Sequence, residues 1–325
     1  MNLVRANKQF ILAEDAKPHA NCHATTLAAL PDGSIVAAWF GGTQEGCSDV
    51  DIWGAIRTGG RWSAPFRIVG EDGIPHWNPV LYADGEGIVR LFYKVGHAIP
   101  EWITRMCVSM DGGQTWSEPA ELVPGDRSGG RGPVKNKPIA LRNGMLAAPA
   151  SVETDDMWDA FVDLSSDGGR HWTRSSFVPI DRAALTDKGI IQPALWETDD
   201  GHVHMLLRST EGFLYRSESR DGGRTWSEAC ATALPNNNSG IDLTQLSDGT
   251  LVLVHNPVSG NWAERTPLVV SRSKDNGATW REMLTLEAEA GEYSYPAIIA
   301  QGDRLLITYT WNRVQAAFWE MTVAR

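Results

Sequence analysis

The octapeptide Ser219–Trp226, SRDGGRTW, decides the fold, because the chain repeats it. It recurs as SMDGGQTW at Ser109–Trp116, SSDGGRHW at Ser165–Trp172 and SKDNGATW at Ser273–Trp280. Asp followed by Gly-Gly or Asn-Gly makes a tight reversal, and the closing Trp can fold back over it. The four tryptophans are spaced by 56, 54 and 54 residues. Trp62, in a copy (TGGRWSAP) that has lost its Asp, lies a further 54 residues upstream of Trp116. A period this even over most of a chain marks a repeat architecture. The octapeptide itself reads as a hairpin fastener and is assigned no chemistry.

Outward from each box, the unit reads as four short strands. A Gly-containing turn leads to an apolar second strand, as in GSIVAAWF at Gly33–Phe40 and GTLVLVHN at Gly249–Asn256. The third strand ends in Ser-x-Asp, and a fourth is expected to carry the Trp. Short strands with turn signals and no helical periodicity indicate an all-β chain. Six such units fill 325 residues, which predicts one domain over 1–325, a six-bladed β-propeller of four-stranded antiparallel blades. The last unit, Tyr293–Arg325, has no box, and Met1–Ala16 holds an apolar segment, Gln9–Ala13, without a first-strand signature. The N-terminal strand is therefore expected to close the last blade and remove an open edge.

Hydrophobic content of 42% and charged content of 21% describe a globular chain with ample core. A formal charge of −11 argues against nucleic acid or an anionic membrane as partner, and no run approaches the length of a membrane span. Any anionic ligand needs a local cluster of Arg and Lys. Cys22, Cys47, Cys107 and Cys230 show no metal-ligand spacing and read as buried free thiols. The histidines lack an HExxH spacing, and phosphate-cradling glycine loops are absent, so no metal and no cofactor is expected. The N-terminus has no apolar signal-peptide region, which suggests a cytoplasmic protein, although a chain with its leader removed would look the same.

The first strand of a propeller blade lines the axis. Aligning the blades on the starts of these strands gives CHA, WNP, NKP, IQP, IDL and SYP. The central residues, His23, Asn78, Lys137, Gln192, Asp242 and Tyr295, are all polar, more like a binding site than a packed core. Second-strand ends and nearby turns add His76, Lys94, Lys135, Arg208, Asn256, Arg265, Tyr293 and Arg313. So much cation at one pole of an acidic protein suggests a carboxylate, sulfate or phosphate on the ligand, which Arg grips bidentately.

With its S-x-D-x-G-x-T-W repeats, six units and closing YS pair, the whole chain resembles the sialidase (neuraminidase) superfamily of Asp-box propellers. That resemblance implies three arginines clamping a substrate carboxylate, a tyrosine nucleophile activated by a glutamate, and a loop Asp as general acid and base. By the resemblance, Tyr293 in GEYSYP stands where the nucleophile does. Arg208 matches the second arginine and Arg265, in ERTPLVVSRSKDNG, the third. The loop FGGTQEGCSDVD, residues 40–51, occupies the acid/base region, with Glu45, Asp49 and Asp51 as candidates. The pattern departs at two points: His23 replaces the first arginine, and Gln192, sixteen residues before Arg208, replaces the glutamate. Gln can hydrogen-bond a phenol but cannot take its proton. His23, Lys137 or Glu292 are the groups that could do so instead.

Three functions follow. One is a glycoside hydrolase that removes a terminal acidic sugar, with Tyr293 as nucleophile, one of Asp49, Asp51 or Glu45 as acid/base, and Arg208 and Arg265 as clamp. His76, Asn78, Lys135, Lys137, Gln192, Asp242 and Arg313 would complete substrate binding. The second is a polysaccharide lyase on uronates, in which His23 or Tyr295 abstracts the proton beside a neutralised carboxylate. The third is a non-catalytic glycan-binding propeller using the polar ring and platforms such as Trp77 and Trp311. Each takes an anionic saccharide.

Overall fold

A computed structural model describes residues 2–324. They form six antiparallel sheets, and helical structure among them is limited to two 3-10 turns, Ile99–Glu101 and Arg182–Ala184. Blades 1 to 5 follow chain order, and their first strands begin at Asn21, His76, Ile139, Ile190 and Asp242. Blade 6 contains Tyr293–Gln301, Arg304–Trp311 and Gln315–Ala324, and its outer strand is the N-terminal Asn2–Phe10, paired antiparallel with Gln315–Ala324. The ring is closed as expected. Met1 and Arg325 lie outside the described residues.

The second strands explain why their sequences are apolar runs rather than alternations. In Ile35–Gly42, one face (Ile35, Ala37, Trp39) packs against Leu306, Ala316 and Phe318 of blade 6. The other face (Val36, Ala38, Phe40) packs against Leu81, Leu91 and Tyr93 of blade 2. A strand buried on both faces needs no polar side. Blade-to-blade packing of this kind is the core.

Each box turns the end of a third strand. In the third copy Ser219 Oγ donates to Asp221 Oδ1 at 2.7 Å, and Oδ1 accepts the backbone N–H groups of Arg224 and Thr225 at 3.0 and 2.9 Å. Thr225 Oγ1 donates to the other carboxylate oxygen at 2.6 Å. These hydrogen bonds outweigh partial burial and hold the carboxyl down to about 2. Three of the box tryptophans, Trp116, Trp172 and Trp280, donate Nε1 to a Gly carbonyl within their own box. The Trp precedes the fourth strand rather than lying on it, as where Trp226 stands before Cys230–Pro235. Blade 1 has no box. Its third strand pairs with both Arg61–Trp62 and Phe66–Val69. Cys22 and Cys107 are buried free thiols as expected, whereas Cys230 is exposed.

Four first strands carry the same irregularity, with two residues left out of the pairing between His23 and Thr26, Trp77 and Val80, Ile191 and Ala194, and Ser294 and Ala297. The first unpaired residue is left-handed in each: Ala24 (φ +53°), Asn78 (+42°), Gln192 (+53°) and Tyr295 (+53°). In three of them a Pro follows, which suits a position with no ladder partner for its nitrogen. These bulges break the strand alternation and re-aim side chains at the axis. They also correct the alignment in blade 1, where Ala24 occupies the ring position and His23 sits one residue earlier.

Candidate active site

First strands start, and second strands end, at the same pole; the boxes lie at the other. At the first pole is a pocket of about 300 Å³, lined by His23, Asn78, Gln192, Arg208, Arg265, Tyr295, Arg313 and Glu45 among the expected residues. Below it the axis is plugged. Lys135 Nζ, which does not reach the pocket, donates to Asn136 Oδ1 at 2.9 Å, to the Ile241 carbonyl at 2.8 Å and to the Pro296 carbonyl. Burial lowers its ammonium to about 7. Lys137 pairs with Asp242 at 2.9 Å and faces a separate cavity at the opposite end. Blades 3 and 5 have no bulge to lift these two residues into the mouth, so both leave the expected binding set as a structural pair.

Tyr293 also leaves the pocket. Its ring is 3% exposed among Val252, Leu268, Ile298 and Leu305 and lies against Trp311. Burial, then Glu287 and Glu289, push its phenol up. In a regular strand Tyr293 and Tyr295 would share a face, but the bulge formed by Tyr295 and Pro296 sends only Tyr295 to the axis. Asp49 and Asp51 fall outside the pocket too. Asp49 accepts from Thr43 Oγ1 at 2.6 Å, the contact that chiefly lowers its carboxyl. Asp51 pairs with Arg67 at 3.1 Å and is raised by burial. His76 bonds the Ile74 carbonyl and stacks on Tyr93, away from the mouth. Of the expected platforms, Trp77 lines the pocket and Trp311 does not.

Tyr295 is the centre of what remains. Arg208 Nη1 donates to its hydroxyl oxygen at 2.8 Å, and Gln192 Nε2 approaches the same oxygen at 3.4 Å. The His23 ring lies beside it with centroids 4.2 Å apart. His23 Nδ1 is 2.9 Å from Thr310 Oγ1. Burial first, and then Arg313, Arg265, Arg208 and Lys135, hold this imidazole well below its ordinary value, so it is neutral near pH 7.

The three arginines differ in one respect that bears on the ligand. Arg265 pairs with Glu292 at 2.7 Å, and Arg313 pairs with Glu292 at 2.7 Å and with Glu45. Arg208, 2% exposed, has no carboxylate within ion-pair distance among the described residues. It donates to Asn238 Oδ1 at 2.7 Å and Gln192 Oε1 at 3.1 Å and lies over Trp158 and Trp262. A buried, unpaired guanidinium open to a pocket is a seat for an anion. Asn78, whose side chain makes no hydrogen bond within the described residues, offers a neutral donor and acceptor nearby. Glu45 reaches the rim on a loop seated on Trp77: Gly46 has φ +84°, and a Cβ there would lie 3.1 Å from the indole.

Sequence reading missed Glu153, Trp158 and Trp262, which also line the pocket. Glu153 stands at the end of the second strand of blade 3 and Arg208 near that of blade 4. A search of second-strand ends for acids as well as cations would have found it.

Fold and site together define a six-bladed propeller with a blind, cation-bearing pocket at one pole. Residues 33–307 match the BNR repeat-like domain, and the chain belongs to that family. No protein of curated function matches the sequence. Among solved structures it is similar to a protein of unknown function from Dyadobacter fermentans (16% identity, TM-score 0.78, covering 98% of this chain and 99% of that one). It is also similar to the Hadza microbial sialidase Hz136 (17%, TM-score 0.79, 97% and 68%). A third is the Trypanosoma rangeli sialidase in complex with 2,3-difluorosialic acid, a covalent intermediate (15%, TM-score 0.76, 98% of this chain). The chain spans 59% of that protein's length. At these identities the likeness is one of fold.

Proposed function

We propose that the pocket belongs to a sialidase-like exo-glycoside hydrolase that removes a terminal acidic sugar, with Tyr295 rather than Tyr293 as the nucleophile. One observation carries the reading: Arg208 is buried, lacks a carboxylate partner among the described residues, and donates to the Tyr295 hydroxyl. A substrate carboxylate on Arg208 would bring its anomeric carbon to the tyrosine beside it. The phenolic oxygen attacks that carbon while the neutral His23 imidazole takes the phenolic proton. Glu45, the only one of the three loop acids lining the pocket, takes up a proton once the substrate carboxylate displaces it from Arg313, and gives that proton to the departing glycosidic oxygen. Water then attacks the glycosyl–tyrosine bond, Glu45 takes its proton, and the phenol recovers its own from His23. The plug of Lys135, Lys137 and Asp242 leaves one way in, which favours a chain end over a chain interior.

A lyase is the second reading, favoured by the neutral His23 ring beside Tyr295 and by Gln192 in place of a carboxylate. The deciding experiment is a panel of 4-methylumbelliferyl glycosides of sialic acid, a keto-deoxy sugar acid and glucuronic acid, with uronate oligosaccharides, products identified by mass. Release of an intact acidic sugar is expected. An ultraviolet-absorbing unsaturated uronate would replace this reading with elimination, and binding without turnover would replace both.

A further inference from the structure

Glu153 is a buried ionisable group lining the pocket that the mechanism above leaves unused. It is 9% exposed, and its Oε1 has no hydrogen-bond partner among the described residues. No cation stands within ion-pair distance of it among the described residues. The charges that act on it are those of Arg208 from blade 4 and Lys94 from blade 2, both buried and both likewise without an ion-pair partner. A carboxylate kept in such a place must be offset by the charges and dipoles around it.

Gln192 shows what that carboxylate can do. Arg208 only donates, so Gln192 must turn Oε1 towards Nη1, and Nε2 then faces Tyr295. The second Nε2 hydrogen is left for another acceptor, and Glu153, which lines the same pocket with its Oε1 unbonded, is the carboxylate this amide acts on. With the amide reversed, its oxygen would face a carboxylate and its nitrogen a guanidinium, two repulsive contacts.

We propose that Glu153 is a positioning residue for Tyr295: it locks the Gln192 amide as a donor to the phenolic oxygen, supplying from blade 3 the negative charge that a glutamate at position 192 would carry itself. The effect on turnover rests on the hydrolase reading above; the effect on geometry does not. With a turned-over glycoside from the panel, Glu153→Leu should lower kcat by about 10²-fold and leave KM within about threefold. Adding Gln192→Glu to Glu153→Leu should restore at least about tenfold of that loss, which a merely structural role for Glu153 would not allow. In a crystal structure of Glu153→Leu, the Gln192 amide should leave hydrogen-bond distance of Tyr295.

A kcat retained within about threefold, no recovery in the folded double variant, or Gln192 unmoved in the crystal structure would overturn the proposal. If the wild type cleaves no glycoside, it is the hydrolase reading that fails, and the crystal structure alone decides the role of Glu153. If Glu153→Leu does not fold, Lys94→Met combined with it removes a buried cation as well and is read by the same outcomes.

Discussion

At the box pole, the Asp221 carboxylate accepts from Ser219, the Arg224 and Thr225 backbone and the Thr225 hydroxyl; all four contacts recur around Asp111 and three of them around Asp275. At the mouth, among the described residues, Arg208 has no carboxylate at ion-pair distance, the Asn78 amide makes no hydrogen bond and Glu153 Oε1 is unbonded. One pole spends its polar groups on itself, several times over. The other holds single groups in reserve, at residues forced into left-handed backbone such as Gln192 and Tyr295. Because each strand runs from one pole to the other, stability and chemistry are assigned to opposite ends of the same strands.

Substitutions can break this division. Tyr295→Phe should lower turnover by at least about 10³-fold while leaving the melting temperature nearly unchanged. Tyr293→Phe, two residues away, should leave turnover intact, and the pair measured side by side separates the axis-facing ring from the core-facing one. Arg208→Ala should lower kcat/KM for an anionic substrate by about 10- to 100-fold. A neutral glycoside assayed in parallel should lose far less.

The pH profile sharpens the mouth further. Burial raises the Glu153 carboxyl, against the pull of Arg208 and Lys94, so it gains its proton earlier as pH falls than an ordinary glutamate does. If the ionised form is needed, activity declines on the acid side from above the ordinary glutamate value of 4.5. Burial and the surrounding cations both lower His23, so it adds no inflection near the ordinary 6.5. Kinetics from pH 4 to 8, compared with Glu153→Leu, check both signs. The smallest effect belongs to the other pole. Asp221→Ala should lower Tm by about 2–4 °C, read by calorimetry, with kcat and KM unchanged.

How legible each pole was in the sequence follows from the same contrast. The boxes announce the propeller because four copies keep their turn residues, and the missing box after Tyr293 foretold the closing strand Asn2–Phe10. The mouth was legible only where backbone shape left a trace. Asn78, Gln192 and Tyr295 each precede a Pro, the mark of the bulge that turns them inward. Lys137 also precedes a Pro, but blade 3 has no bulge, and it joins Asp242 in the plug. Motif resemblance points to Tyr293, whereas the Pro after Tyr295 marks the bulge that carries Tyr295, and not Tyr293, to the axis. Asp49 and Asp51 sit on the right loop but spend their carboxylates on Thr43 and Arg67, leaving Glu45 at the rim.

The central claim is that Tyr295 is the group that meets the anomeric carbon. Incubating the protein with 2,3-difluorosialic acid, or the difluoro form of whichever acidic sugar the panel selects, and mapping the adduct by peptide mass spectrometry tests it directly. The account predicts one sugar per chain, attached to Tyr295 and absent from Tyr295→Phe. An adduct on Tyr293, or none under conditions where the matching glycoside is hydrolysed, would contradict it.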